Sequence, residues 1–229
     1  MSSLLIAVAK WYTLSRRGCI RRDVSVLEYN PVVVRLPEPR YRSSISIEEA
    51  ILRRRSIRRY KDEPLALEEV SQLLWAAQGI TEPYKGLRAA PSAGALYPLE
   101  TYLVAGNVNN LTAGVYKYRP FSHDLIKTID GDIRIKLAIA AINQTKIKKA
   151  AASIAFSAVY ERTVSKYGNR GIRYVHMDLG LAVENVYLQA VSLGLGTLAV
   201  GAFDDLSVKV ILDMPQEEYP LCIMPIGRV

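Results

Sequence analysis

Residues 170–193 carry the longest run of helical spacing in the chain, and a helix of that length limits the possible folds more than any motif does. Val175, Leu179, Ala182, Val186, Ala190 and Leu193 recur at steps of three and four, with Gln189 beside them, and Gly194 follows as a stop. Such a stripe must be covered along its whole length by another apolar surface. Candidate strands are present to cover it: residues 101–105, 151–160, 197–201 and 221–226 are short apolar runs. Residues 114–118 and 124–128 alternate around Arg119-Pro120-Phe121-Ser122-His123 and read as a hairpin.

Shorter helices fill the gaps. Ser46 and Glu49 form a capping box ahead of Ile47, Ala50 and Ile51, which predicts a helix to about Arg55. Pro64 is expected to open a second helix, with Leu67, Val70, Leu73, Leu74 and Ala77 on one face and Gly79 as its stop. Asp130 is expected to cap a helix over residues 132–142, and Asp204 or Asp205 a short one ending at Leu212. Helices alternate with strands, but a hairpin interrupts. The expected class is therefore α+β, a mixed sheet flanked by helices, rather than a pure dinucleotide-binding sheet. Gly194-Leu195-Gly196 follows a helix and precedes a strand, the reverse of the order a dinucleotide fingerprint requires.

Residues 1–44 read as a basic N-terminal extension and 45–229 as one folded domain. Pro31, Pro37 and Pro39 punctuate the extension, helical stretches are open around Trp11-Tyr12 and over residues 24–27, and Val32-Val33-Val34 suits a short strand or a segment laid over another surface. The chain's net charge of +8 is concentrated here: residues 1–60 hold thirteen Lys or Arg against five Asp or Glu, whereas residues 61–229 hold seventeen of each. A basic arm can serve as a footprint for nucleic acid. No aromatic interleaving and no zinc-finger or RNA-binding motif accompanies it, so nucleic acid is not expected as a partner. No run approaches the ~20 apolar residues of a membrane span, and residues 4–9 are too short for a secretory signal. A cytoplasmic location is expected, with Cys19 and Cys222 as a reduced pair.

Chemistry concentrates in two segments. Arg54-Arg55-Ser56-Ile57-Arg58-Arg59-Tyr60 places cations, a hydroxyl and backbone N–H groups at a helix end, the donor types that converge on a phosphate. Taken alone, it reads more readily as a solvated helix end favoured by the helix dipole. Pro91-Ser92-Ala93-Gly94-Ala95-Leu96-Tyr97-Pro98 is a loop that lets a ligand approach the backbone at Gly94 with a hydroxyl donor beside it. Its plain alternative is an ordinary helix-to-strand connector. The residue 81–98 segment is long for a connector, as functional loops often are.

In these segments and those around them, the chain resembles the nitroreductase superfamily. Arg54 to Tyr60, then Leu73-Leu74-Trp75-Ala76-Ala77-Gln78-Gly79-Ile80, then the Pro-Ser-Ala-Gly-Ala-Leu-Tyr-Pro loop look like its flavin-binding signature, and the loop is most similar to the SagB-type branch. That branch includes FMN-dependent dehydrogenases that oxidise peptide thiazolines and oxazolines to azoles. The hairpin with His123, the segment Leu198-Ala199-Val200-Gly201-Ala202-Phe203 and the terminal Pro225-Ile226-Gly227-Arg228 fit as well. The resemblance covers about residues 45–229. It implies a homodimer with FMN at the interface and hydride transfer at flavin N5. Arg54, Arg55, Ser56 and Arg58 would contact the phosphate, ribityl chain and pyrimidine edge, and Arg228 would join them. Pro91, Ser92, Ala93 and Gly94 would line the flavin, commonly from the other subunit, and the backbone near Gly201 and Ala202 would face N5 and O4. A Lys-Tyr pair at the place of Lys166 and Tyr167 is associated with catalysis in the azoline branch; the plain alternative is a surface lysine with a packed tyrosine. The substrate class implied is a small molecule or a peptide-derived heterocycle, with NAD(P)H open as electron donor.

Two other readings stay in play: a general NAD(P)H-dependent reductase of nitro or quinone compounds, and a non-enzymatic basic binding protein on a degenerate flavin fold. His123 and His176 have no neighbouring ligand set for zinc, and the chain lacks a Gly-x-Ser-x-Gly elbow. Asn185 and Gln189 share a face of the long helix and are expected to stitch a core or a dimer interface. An azole pathway would require separate partner proteins.

Overall fold

The computed structural model describes residues 32–229. The expectations for Trp11-Tyr12, residues 24–27 and Cys19 lie outside the described residues. Seven strands form one sheet: β1 (Val33–Arg35), β4 (Leu99–Ala105), β5 (Gly114–Arg119), β6 (Asp124–Asp130), β7 (Ala152–Ala158), β8 (Leu195–Thr197) and β9 (Tyr219–Arg228), in the order β1-β6-β5-β4-β7-β9-β8. Every ladder between these strands is antiparallel. The α+β class holds, and among the described residues parallel contacts are confined to the isolated bridges Ser56–Thr197 and Leu65–Val108. β1 pairs with β6, so the stretch read as part of the N-terminal extension contributes an edge strand to the sheet.

The central strands β4 and β7 are buried on both faces. Alternation along β4 splits the core into two layers. Leu103 and Ala105 join the cluster that also contains Leu73, Leu74, Val175 and Val186, under α2 (Leu67–Gln78) and α6 (Arg170–Ser192). Tyr102 and Val104 face the opposite layer, with Leu137, Ile147 and Val208 from α3 (Arg134–Ala140), α4 (Thr145–Lys149) and α7 (Asp205–Ile211). The long helix thus rests its stripe on the sheet and on α2, as its periodicity required. α1 (Ile47–Arg53) and α5 (Glu161–Tyr167) pack on the same side, both against α6.

Several boundaries differ from the sequence reading, each for a local reason. α2 does not open at Pro64: Leu65 is held extended against residues 107–109, and the helix starts only where the Glu69 carboxylate accepts from the Ala66 N–H at 2.8 Å. Gly79 stops α2 without a left-handed turn (φ −63°); a Cβ there would overlap Trp75, so the glycine serves a close approach. Asp130 lies within β6; α3 has Ile133 as its N-cap with no side-chain cap, and Asp132 just before it accepts from the Arg134 N–H at 3.0 Å. The expected strand at residues 197–201 ends at Thr197, because the Ala199 N–H turns to the Tyr187 hydroxyl at 2.7 Å and only Val200 returns to pair with Ile223. Residues 81–98 are not all loop: β2 (Ile80–Glu82) and β3 (Leu87–Arg88) form a small hairpin. The helices α4 and α5 were not anticipated, being too short to show a period. Ser46 and Asp204 do cap their helices, each accepting from the backbone three residues on.

The β5–β6 hairpin is closed by a two-bond pair, Arg119 Nε and Nη2 to the Asp124 carboxylate oxygens, both at 2.6 Å. Arg119 holds Asp124 below its ordinary 3.8. A depressed carboxylate stabilises the fold above its unfolded value and loses that contribution as pH falls through the lowered one. Asp124→Asn is therefore expected to cost about 1 kcal/mol at pH 7, discounted because Arg119 is partly exposed. Urea denaturation should show the gap between the two proteins closing as pH drops below 3.8. A gap that is constant down to pH 3 would assign the loss to packing instead.

Candidate active site

The arginine-serine segment leaves α1 and is pinned at once to the far edge of the sheet. The Ile57 N–H donates to the Thr197 carbonyl at 2.9 Å, and β8 in turn pairs with β9 through Thr197–Ile226 and Leu195–Arg228. The order of contacts therefore brings residues 54–58, the segment leading to Gly201 and Ala202, and the end of the chain to one place, although they are far apart in sequence. Tyr187 of α6 is the hub: its hydroxyl lies 3.2 Å from Ser56 Oγ and accepts from Ala199 N–H, and the Arg54 guanidinium sits 5.2 Å from its ring centroid. Arg54 Nε is also 3.8 Å from Glu184.

The donor set suits an anion. Among the described residues neither Arg55 nor Arg58 has a carboxylate partner; Arg55 donates to the carbonyls of Leu52 and Arg54, and Arg58 to that of Ser56. Gly201 and Ala202 are exposed, and a Cβ on Gly201 would meet nothing within 4 Å, so the backbone there is open to a ligand. Arg228 is differently placed from expectation: its fork is occupied by Glu69, at 2.7 and 2.9 Å. A phosphate would reach it only in competition with that carboxylate. The remaining residues fit a phosphorylated ring cofactor.

The second cluster is built on the residue 91–98 loop. Ser92 Oγ donates to Asp178 Oδ2 at 2.5 Å and accepts from the Tyr97 N–H at 2.9 Å, and the Ala93 N–H donates to Asp178 Oδ1 at 3.3 Å. Burial pushes the Asp178 carboxyl up, against these hydrogen bonds, which pull it down. The backbone is contorted here: Gly94, Ala95 and Tyr97 have φ of 64°, 54° and 46°. Positive φ at Ala95 and Tyr97 is uncommon outside glycine, and such strain persists only where surrounding contacts enforce it. Gly94 is pressed against the end of α5. A Cβ on it would lie 2.6 Å from Tyr167 Oη and 3.0 Å from Lys166 Nζ. The loop and the Lys-Tyr pair, which the sequence suggested separately, are therefore in contact. Tyr167 is braced edge-on by Tyr174, 5.1 Å between centroids.

The two clusters are anchored at separate places on α6. Asp178 and Tyr187, their anchors, lie nine positions apart on α6. At 3.6 residues per turn that is about half a revolution and roughly 13 Å along the axis. The helix itself stands between them.

Other candidates resolve as structure. His123 bridges Tyr118, Ser71 and the Pro37 carbonyl, which ties the segment after β1 to α2. Asn185 donates to the carbonyls of Ala76 and Ala89, and Gln189 accepts from Gln72, so both stitch α6 to its neighbours in the same chain. Both also line a cavity of about 510 Å³ beneath residues 40–47, which none of the expected site residues touches. Cys222 is buried on β9, its thiol pushed up to about 11. Among the described residues, no group of three His, Cys, Asp or Glu is placed to hold a metal, and no helix is long and apolar enough to cross a membrane.

Asp178, Tyr187 and Glu69 were not among the expected site residues. Asp178 left a signal: it falls on the buried stripe, three residues after Val175 and four before Ala182. A carboxylate on an apolar face must have a partner waiting. Tyr187 and Glu69 left none.

An antiparallel sheet layered between helices, with a cationic donor cluster and a strained, glycine-opened loop, makes an α+β fold whose open donors suit an anionic ligand. The comparisons with known proteins agree. The Nitroreductase family model matches residues 51–228, and the chain belongs to that family. It is 46% identical over 184 residues to the nitroreductase-type protein MJ1384 of Methanocaldococcus jannaschii, covering 80% of this chain and 91% of that one. It is 27% identical to the microcin B17-processing protein McbC of Escherichia coli, over 72% of this chain and 63% of McbC. Among solved structures, the E. coli microcin synthetase McbBCD complex with truncated pro-MccB17 bound superposes with a TM-score of 0.67 at 25% identity, over 93% of this chain and 85% of the matched one. The resemblance to the SagB-type branch is thus supported by peptide-processing relatives.

Proposed function

We propose that the protein is an FMN-dependent dehydrogenase of the SagB type, oxidising a peptide-derived azoline to an azole. The observation that carries this reading is the contact of Gly94 with Lys166 and Tyr167, which sets a proton-accepting pair beside the loop that would line the flavin. Similarity to a microcin-processing protein supports the substrate class.

Aromatising an azoline removes a hydride from one ring carbon and a proton from another. Bound FMN would supply the two-electron acceptor for the hydride. The chain's own residues do the rest. Arg54, Arg55, Ser56 and Arg58 would hold the phosphate and ribityl end, and the open backbone at Gly201 and Ala202 would leave room for the ring and offer it N–H donors. Ser92 and Gly94 form the wall against which the substrate lies, and Lys166 Nζ or Tyr167 Oη accepts the proton.

The active unit in this reading is a homodimer. The clusters on opposite sides of α6 cannot complete a site in one copy, but a second copy can bring the loop of one protomer to the arginines of the other. Exposed apolar side chains for such pairing lie on α1 (Ile47, Ile51, Leu52) and α6 (Ile172, Met177, Leu181).

A general NAD(P)H-dependent nitro or quinone reductase is the second reading, favoured by the 46% identity to a nitroreductase-type protein. One experiment orders these. The purified protein is expected to be yellow, with FMN released on denaturation, and to convert an azoline peptide to its azole. Rapid bleaching by NADPH with quinone turnover and no azole formed would favour the second reading. A colourless protein that takes up no FMN and binds polyanions would overturn both.

A further inference from the structure

Loop 91–98 stays strained although nothing in its own sequence compels it. Two side chains from α5 and α6 provide the compulsion. Asp178 projects from α6 among buried neighbours, and its ionised carboxylate can only accept hydrogen bonds. Ser92 must therefore donate to it, which leaves the Ser92 oxygen free to accept from the Tyr97 N–H. The Ala93 N–H donates to the second carboxylate oxygen. One side chain thus fixes both the first residues of the loop and, through Ser92, the turn at Tyr97. At the far end Arg162 of α5 donates to the Tyr97 carbonyl at 3.0 Å and to Glu100 at 2.5 Å. Arg162 lies one turn before Lys166 on the same helix.

We propose that Asp178 is a positioning residue: it latches Ser92 and Ala93 to α6 so that the loop and the Lys166–Tyr167 pair form one rigid wall of the site. Its effect on turnover rests on the flavin reading above; the latch itself does not. Without the carboxylate, Gly94 has no fixed distance to Lys166 and Tyr167, and the positive-φ turn relaxes. Arg54, Ser56 and Tyr187 lie on the other side of α6, so cofactor capture through the phosphate is untouched.

Asp178→Asn tests this without changing the side chain's size. Whichever way the amide turns, either the Ser92 hydroxyl or the Ala93 N–H loses its acceptor. Hydrogen exchange in protein without added FMN is expected to accelerate about tenfold in residues 91–98 and to stay unchanged in residues 182–192, as loss of one buried hydrogen bond implies. Ser92→Ala should reproduce this, and the double variant should be no worse than either single one. In FMN-loaded protein, kcat is expected to fall about tenfold while FMN affinity changes by less than about threefold, the pattern of a misplaced wall with the phosphate grip intact. Unchanged exchange in the loop, acceleration throughout α6, or additive effects of the two substitutions would overturn the latch. Wild-type protein that binds no FMN would count against the flavin reading alone, because the exchange measurement uses no cofactor.

Discussion

Lys166→Ala is expected to keep its flavin and to lose about 10²–10⁴-fold in azoline oxidation, the range for removing a proton-transfer group. Lys166 is exposed and carries no ion pair among the described residues, so its removal leaves no buried charge stranded and the fold should stay within about 0.5 kcal/mol of wild type. Tyr167 is different. It packs edge-on against Tyr174 and touches the space above Gly94. Tyr167→Phe keeps the ring and removes only the hydroxyl, so the pair of variants separates the proton acceptor from its support. If Lys166 is the base, Lys166→Ala abolishes the pH dependence of kcat along with most of the rate, and Tyr167→Phe lowers the rate without removing that dependence. Variants that both retain more than half the wild-type kcat would return the pair to a packing role.

The second large effect concerns the dimer. A protein lacking the cationic half of the site (Arg54→Ala with Arg58→Ala) and a protein lacking the other half (Lys166→Ala) should each be inactive. Mixed by co-expression, they should recover about a quarter of wild-type activity. Random pairing makes half the dimers mixed, and each mixed two-fold dimer holds one site with both halves intact. Were both halves contributed by one chain, every site in the mixture would carry a lesion and nothing would be recovered. The anchors Asp178 and Tyr187, on opposite sides of α6, are the reason to expect recovery.

The elements that the sequence revealed best are those whose signal is local. α6 showed itself by its period, and β4 and β7 by short, mostly apolar runs. Ser46 and Asp204 were legible as caps because a cap and its partner are three residues apart. Where a local rule met a distant contact, the contact won. Pro64 is a good first-turn residue, yet α2 starts later because Leu65 is drawn into pairing with Val108. Residues 198–201 are apolar enough for a strand, yet the Tyr187 hydroxyl takes the Ala199 N–H out of the ladder.

The same division runs through the site. Sequence by itself singled out the candidate residues: the arginines and Ser56 at a helix end, the loop that bends at Gly94, and, through the family resemblance, the Lys166–Tyr167 pair. Only the tertiary structure decided whom they meet. Ser92 finds Asp178 across 86 positions and Arg228 finds Glu69 across 159. One contact turned an expected flavin donor into part of a latch, and the other engaged an expected phosphate ligand with a carboxylate. Periodicity and propensity report on neighbours within a turn or a strand. Partners at such separations are set by strand order and by which face of α6 a residue occupies, and these exist only once the chain has packed.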